Sequence, residues 1–403
     1  MKIYVLTSVY PAKDAPKGTT PVVHYFTKEW AAMGHQVHVF HLESVFPRLY
    51  YVFGKIFKQT LDSRLGHLVP NQRPSEYEET KDGVAVSHIL IKKTKPHGRF
   101  SNKQLHRAFE IISGFIQDEG IPDCFVGHWD NPQLDLLHGL KERFHRPSCL
   151  VYHSNDYGRL IDTYGKDFEV LRNDIDLVGF RNNTSKEIYI KRFGEPHNSF
   201  IASSGISKPF VEAGERSIKS IGVVRNYIYV GAVVERKYPL AILDALAKSY
   251  YNDSFNITYI GEGIQISELE SRFNELKCSG SIRITGRIPR NEVISFLNRA
   301  DVFVMISRDE LFGLVYLEAM ALGCITIGSR KEGIDGIIID GENGFLCEAG
   351  NVDELSTIID KIRSMTPSQL KQMSDKAKET AFYYSDVNVA ERYVEQLKLI
   401  SSK

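Results

Sequence analysis

The chain has no apolar run approaching the roughly 20 residues that a helix needs to cross a bilayer. Met1-Lys2 and Ile3-Tyr4-Val5-Leu6 look like the start of a secretory leader. Thr7, Ser8, Pro11 and Lys13-Asp14 cut that run short, so a first β-strand is expected instead. Cysteine is sparse. The five cysteines, Cys124, Cys149, Cys278, Cys324 and Cys347, form no Cys-x-x-Cys pair, which excludes a zinc ribbon or a disulfide framework and points to a reducing compartment. Net charge is also missing, with 50 Lys and Arg against 50 Asp and Glu. Duplex nucleic acid as the main partner calls for a strongly basic surface, so it is excluded. Histidine is absent from residues 209–403, although thirteen lie between His24 and His197. That division matches the length, because 403 residues exceed one ordinary core and suggest two domains of about 200 residues each.

What is present is a repeated alternation of apolar runs and helical segments. In the first half the runs are 3–9, 37–42, 84–91, 124–126, 150–152 and 177–180, and in the second half 227–234, 257–260, 282–285, 302–306 and 325–327. Such alternation predicts an α/β protein with two doubly wound parallel sheets. Polar residues 212–222 read as the linker. In the last segment Val389, Tyr393, Leu397 and Ile400 are spaced for one helical face.

The most informative stretch is Ser307 to Gly323, in which Glu310 and Glu318 bracket a Phe312-Gly313 turn. The apolar run 302–306 before it predicts a buried strand, and the Ala/Leu/Met pattern after it predicts a helix. Free backbone N–H groups at Gly313, Leu314 and Val315 would then form a positive end suited to phosphate, with one carboxylate on either side to accept hydroxyls. A nucleotide-sugar has that layout. Glu310, Phe312, Gly313, Glu318, Ala319 and Gly323 closely resemble the signature of retaining glycosyltransferase family 4.

The resemblance implies the GT-B architecture, two Rossmann-like domains facing across a cleft, with a C-terminal helix returning to the first. It divides the chain into an acceptor-binding domain 1–208, a nucleotide-sugar-binding domain 209–385 and the terminal helix 386–403. The implied activity is a retaining hexosyl transfer from a UDP- or GDP-sugar to a saccharide or lipid-linked saccharide. Cell-surface polysaccharide or glycoconjugate biosynthesis is the implied setting, at the cytoplasmic side of the membrane. A nucleotide-sugar epimerase of the same architecture, or a non-catalytic saccharide- or nucleotide-binding protein, remains an alternative.

The resemblance also suggests roles. Glu310 would hold hexose hydroxyls, Phe312 to Val315 the sugar and diphosphate, and Glu318 the ribose. Arg236 and Lys237, in Val230 to Pro239, occupy the family's phosphate-binding element, where cations stabilise the charge that develops on a departing nucleoside diphosphate. The family's other arginine position is Ala232 here, which makes Arg236 its replacement. Gly261, in Ile260-Gly261-Glu262-Gly263, matches a strand-end turn, and Arg287 and Ile288 match the loop that lines the base. Gly18 and its neighbours between the first strand and the helix near Val22 form either a donor-approaching loop or a plain turn. His128 ends a strand at the position of a family cleft histidine and is counted with Glu310, Lys237 and Arg236 as catalytic. No Asp-x-Asp metal motif of the other main glycosyltransferase class is read, so neither a metal nor any cofactor beyond the co-substrate is expected. Residues 46–58, with Leu49, Phe53, Ile56 and Phe57 against Arg48, Lys55 and Lys58, read either as an interfacial helix on anionic lipid or as an ordinary core-covering helix.

Overall fold

The computed structural model describes residues 1–13, 19–47, 51, 74–93, 98–276 and 278–402. The chain forms two compact units. The first comprises Met1–Arg181, Ser185–Ala202 and Val389–Lys403, and the second Asn182–Thr184 and Ser203–Asn388.

The first unit is built on β1 (Lys2–Thr7), β2 (Gln36–Val45), β3 (Tyr77–Lys81), β4 (Val84–Lys92), β5 (Cys124–His128), β6 (Ser148–Tyr152), β7 (Leu177–Phe180) and β8 (Ser199–Ile201), in the order β3-β4-β2-β1-β5-β6-β7-β8. All neighbours pair in parallel except β3 with β4. The central strands are apolar on both faces because helices cover both, as at Ile3, Val5, Phe125, Val126, Leu150 and Val151, all fully buried. At the β3 edge the sequence Tyr-Glu-Glu-Thr-Lys alternates half-buried and exposed residues, a charged rim that discourages further strand addition. The helix Asp386–Ser401 buries the predicted face: Val389, Tyr393, Leu397 and Ile400 are all in the core. Tyr393 meets Trp30 edge to face with ring centroids 4.9 Å apart, and the indole Nε1 of Trp30 donates to the Ala390 carbonyl at 3.0 Å.

The second unit carries β9 (Asn226–Val230), β10 (Ser254–Ile260), β11 (Ser279–Ile284), β12 (Val302–Val304), β13 (Ile325–Ser329) and β14 (Phe345–Cys347), all parallel, in the order β11-β10-β9-β12-β13-β14. The expected linker begins as structure: residues up to 216 belong to the helix Lys208–Arg216, whose Phe210 and Gly214 are buried. A Cβ on Gly214 would stand 2.3 Å from the Ala321 carbonyl oxygen, so this helix seats backbone to backbone. The chain order within the sheet changes direction at β9 and β12, and the loops leaving the carboxyl ends of those two strands are where an open parallel sheet binds its ligand.

Candidate active site

The loop after β9 is held by close backbone contact with the loop after β10. A Cβ on Gly261 would lie 1.8 Å from the Gly231 carbonyl oxygen, and one on Gly263 2.0 Å from that of Val233. In return the Val233 N–H donates to the Glu262 carbonyl at 2.9 Å and the Gln265 N–H to the Val233 carbonyl at 3.2 Å. The Gly-x-Gly of the sequence therefore acts as a support for the β9 loop. That loop turns through a short 3-10 segment, Glu235–Lys237, which delivers two cations side by side. Lys237 is buried, and its Nζ donates to Glu310 Oε2 at 2.5 Å and lies 3.5 Å from the Met305 sulfur. Arg236 is more exposed. Its Nη1 reaches the carbonyls of Arg308 at 3.3 Å and Asp309 at 3.5 Å and stands 4.0 Å from Glu310 Oε2. The exposed Ala232 offers no cation, and its carbonyl accepts from the Tyr229 hydroxyl at 2.6 Å.

Glu310 lies, as expected, in the strand-to-helix loop after β12, and this loop is tightly specified. The Arg308 N–H donates to the Arg236 carbonyl at 2.8 Å, tying it to the lysine turn. Glu332 accepts from the Glu310 N–H at 2.8 Å, and the Gly333 N–H donates to the Glu310 carbonyl at 2.8 Å. Only glycine fits at 333, where a Cβ would stand 2.2 Å from the Leu311 carbonyl oxygen. Burial pushes the Glu332 carboxyl above its ordinary range, opposed by the backbone N–H bonds it accepts from Glu310 and Asp309. Phe312 is buried, and Gly313 takes φ +68° to cap the helix Leu314–Ala321. The N–H groups of Gly313, Leu314 and Val315 have no acceptor among the described residues, so this end keeps the partial positive charge of a helix N-terminus. Tyr316 in the first turn is locked from below, its hydroxyl donating to the Met305 carbonyl at 2.6 Å.

Glu318 is not a solvated helix-end charge. It is 4% exposed, and the Arg290 guanidinium grips its Oε1 through Nη2 and through Nε at 2.6 Å. Burial raises the Glu318 pKa while Arg290 draws it back. Arg290 opens the helix Arg290–Arg299, one residue after the Gly286-Arg287-Ile288 loop, so the loop expected to line the base and the carboxylate expected to hold ribose are tied together by one residue. Ile288 packs on the core and Arg287 is exposed. Arg290 and Glu332 are the residues whose role the sequence did not disclose.

His128 lies in the first unit. It is fully buried, with Nδ1 2.9 Å from His153 Nε2 and its ring stacked on Phe26. Burial, aided by the Arg181 charge, lowers its pKa to about 3, so the ring is neutral at ordinary pH. His153 in turn stacks on Trp129, with centroids 4.0 Å apart. Gly18, and residues 48–50 and 52–58 of the basic amphipathic segment, lie outside the described residues. The chain's single Asp-x-Asp, Asp174-Ile175-Asp176, is structural. Asp174 pairs with His138 at 2.8 Å, and Asp176 takes Lys141 at 2.9 Å and the Ser148 N–H at 2.9 Å.

Residues 221–380, which contain every one of the second-unit groups above, match the family described as glycosyl transferases group 1. An uncharacterized glycosyltransferase of Methanocaldococcus jannaschii is 27% identical over 290 residues, covering 69% of this chain and 75% of the relative. The lipopolysaccharide core biosynthesis glycosyltransferase LpsE of Rhizobium meliloti is 31% identical over 133 residues, covering 33% of this chain and 38% of the relative. Among solved structures, HepE of Anabaena in complex with UDP superposes with a TM-score of 0.66 at 14% identity, covering 99% of this chain and 100% of that one. The likeness to HepE is one of fold, the two-domain α/β GT-B architecture.

Proposed function

We propose that this chain, whose residues 221–380 match the glycosyl transferases group 1 family, transfers a hexose with retention of configuration. The donor is a UDP- or GDP-sugar, and the acceptor a saccharide or lipid-linked saccharide. The observation that carries the reading is the contact between Lys237 and Glu310, 2.5 Å apart on the two loops that leave β9 and β12. It sets a cation for the diphosphate against a carboxylate for the sugar hydroxyls, beside a helix end with free N–H groups.

In this reading the diphosphate lies on Gly313, Leu314 and Val315, with Lys237 and Arg236 flanking it. Negative charge grows on the diphosphate as the glycosidic bond breaks. Fixed cations and amides aimed at it stabilise the transition state more than the ground state, with little reorganisation. These groups supply the positive charge without a metal ion. Glu310 orients the hexose, Glu318 accepts the ribose hydroxyls, and Arg290 keeps the buried Glu318 charged and aimed. HepE, solved with UDP, and LpsE, a lipopolysaccharide core enzyme, favour a uridine donor and a cell-surface glycan product.

The test is a calorimetric and thermal-shift panel of nucleoside diphosphates and nucleotide-sugars, without added metal, on wild type, Lys237→Ala and Glu318→Ala. Selective binding of one diphosphate, lost in both variants, is the expected result. Absence of binding to every member of the panel overturns the transferase reading.

A further inference from the structure

The first unit contains a concave site of its own. A cavity of about 300 Å³ opens at the carboxyl ends of β2 and β4, lined by Val45, Leu90, Lys92, Lys103, Gln104 and Arg107 together with Glu76. Its volume lies at the lower end of the range for small-molecule sites, and the carboxyl edge is where open parallel sheets take ligands.

The charges in this cavity do not balance. Arg107 is compensated, its Nη2 donating to Glu76 at 2.7 Å and its Nη1 to the Leu90 carbonyl at 2.8 Å. Lys92 and Lys103 have no ion-pair partner among the described residues. Gln104 is oriented as a donor. Its Oε1 accepts from the Lys92 N–H at 2.9 Å, which leaves the amide NH2 as the end free to bond. Lys103 stands in the first turn of the helix Asn102–Glu119, which has no acidic residue there. A cation in that turn opposes the helix dipole, a local cost that a bound anion would remove. Beyond Glu76 a second cavity of about 390 Å³ continues along Tyr77 and His88, with Phe40 and Phe115 as walls. Glu76 and Glu78 line it beside these rings.

We infer that the Lys92, Lys103 and Gln104 cavity binds an anionic group carried by the acceptor, a phosphate or carboxylate on a saccharide or on a lipid headgroup. The inference rests on the transferase reading for the word acceptor, and on the first unit alone for the anion site. Calorimetry at low salt on the full chain tests it, with glucose 6-phosphate, glucuronate and glucose as soluble probes. Vesicles of phosphatidylglycerol or of phosphatidylcholine serve as the lipid arm. Glucose 6-phosphate and glucuronate are expected to bind about tenfold or more tightly than glucose, the scale of one or two charge-assisted hydrogen bonds. Lys92→Gln/Lys103→Gln should lose that preference, Lys92→Arg/Lys103→Arg should keep it, and Lys237→Ala should leave it unchanged. Binding only to phosphatidylglycerol vesicles, with the same dependence on the two lysines, assigns the anion to a headgroup. Equal binding of charged and neutral probes, loss that follows Lys237 alone, or no binding in either arm overturns the inference. Diphosphate binding that depends on Lys237, with no effect of Lys92 and Lys103, would remove this site and leave the transferase reading intact. The reverse pattern would do the opposite.

Discussion

At the residue scale, Lys237 is the group whose removal has the clearest consequence. Its ammonium is buried between Glu310 and the Met305 sulfur, already oriented before any ligand arrives. Lys237→Ala is expected to weaken nucleoside diphosphate binding by about 10- to 100-fold, the value of a charge-assisted hydrogen bond of roughly 1.5–3 kcal/mol. Arg236, 4.0 Å from Glu310, limits the effect on folding. Isothermal titration reads the affinity, and an unchanged value would remove Lys237 from the diphosphate site. Arg290→Ala should act differently. It leaves the 4% exposed Glu318 carboxylate without its guanidinium grip. Its pKa, already raised by burial, rises further, so diphosphate binding should acquire a dependence on a carboxyl titrating above the usual range. A pH series of affinities that overlays that of wild type would contradict this. Lys237 and Glu310 were legible in the sequence because each sits inside a short contiguous pattern. Arg290 was not, because its partner is 28 positions away and only folding brings the two together.

At the element scale, the supports matter as much as the groups they carry. Gly261→Ala places a methyl group 1.8 Å from the Gly231 carbonyl oxygen at a φ of +150°, so the β9 loop must shift. A loss of about 1–3 kcal/mol from backbone strain is expected, with a fall in diphosphate affinity although residue 261 contributes no charge. Thermal denaturation of the variant beside the ligand titration checks both. Most strands could be read in advance, because buried parallel strands are continuous apolar runs, as at β1, β7 and β13. The strand β3 could not, since Tyr-Glu-Glu-Thr-Lys is polar and pairs antiparallel at an edge where one face meets water. Residues 212–216 looked like linker because Glu and Arg dominate there. Their helix is fastened by Phe210 and by the small Gly214, neither of which makes an apolar run.

At the scale of the whole molecule, the two units should respond differently to acid. All the histidines belong to the first unit. Burial lowers His38 to about 4 and His41 and His128 to about 3, and lowers His24, His88 and His153 as well. The unfolded chain binds protons at these rings near pH 6.5, before the folded chain can. The stability these rings contribute to the first unit is therefore fully present above pH 6.5 and is lost as the pH drops toward about 3. The second unit has no histidine and escapes this term. Both tryptophans, Trp30 and Trp129, also lie in the first unit, so indole emission follows its acid unfolding alone. Coincidence of the indole transition with loss of far-ultraviolet circular dichroism from the entire chain would contradict the separation.

The helix Asp386–Ser401 adds a constraint of another kind. Trp30 donates to the Ala390 carbonyl and packs on Tyr393, partners about 360 positions further along the chain. Ribosomal synthesis delivers β1 to β8 first and this helix only after the whole second unit. The unit begun first is thus completed second, and during the interval the Trp30 and Phe26 surface lacks the cover of this helix. A chaperone that shields that surface on the nascent chain, or a translation rate that shortens the wait, is expected to raise the yield of folded protein.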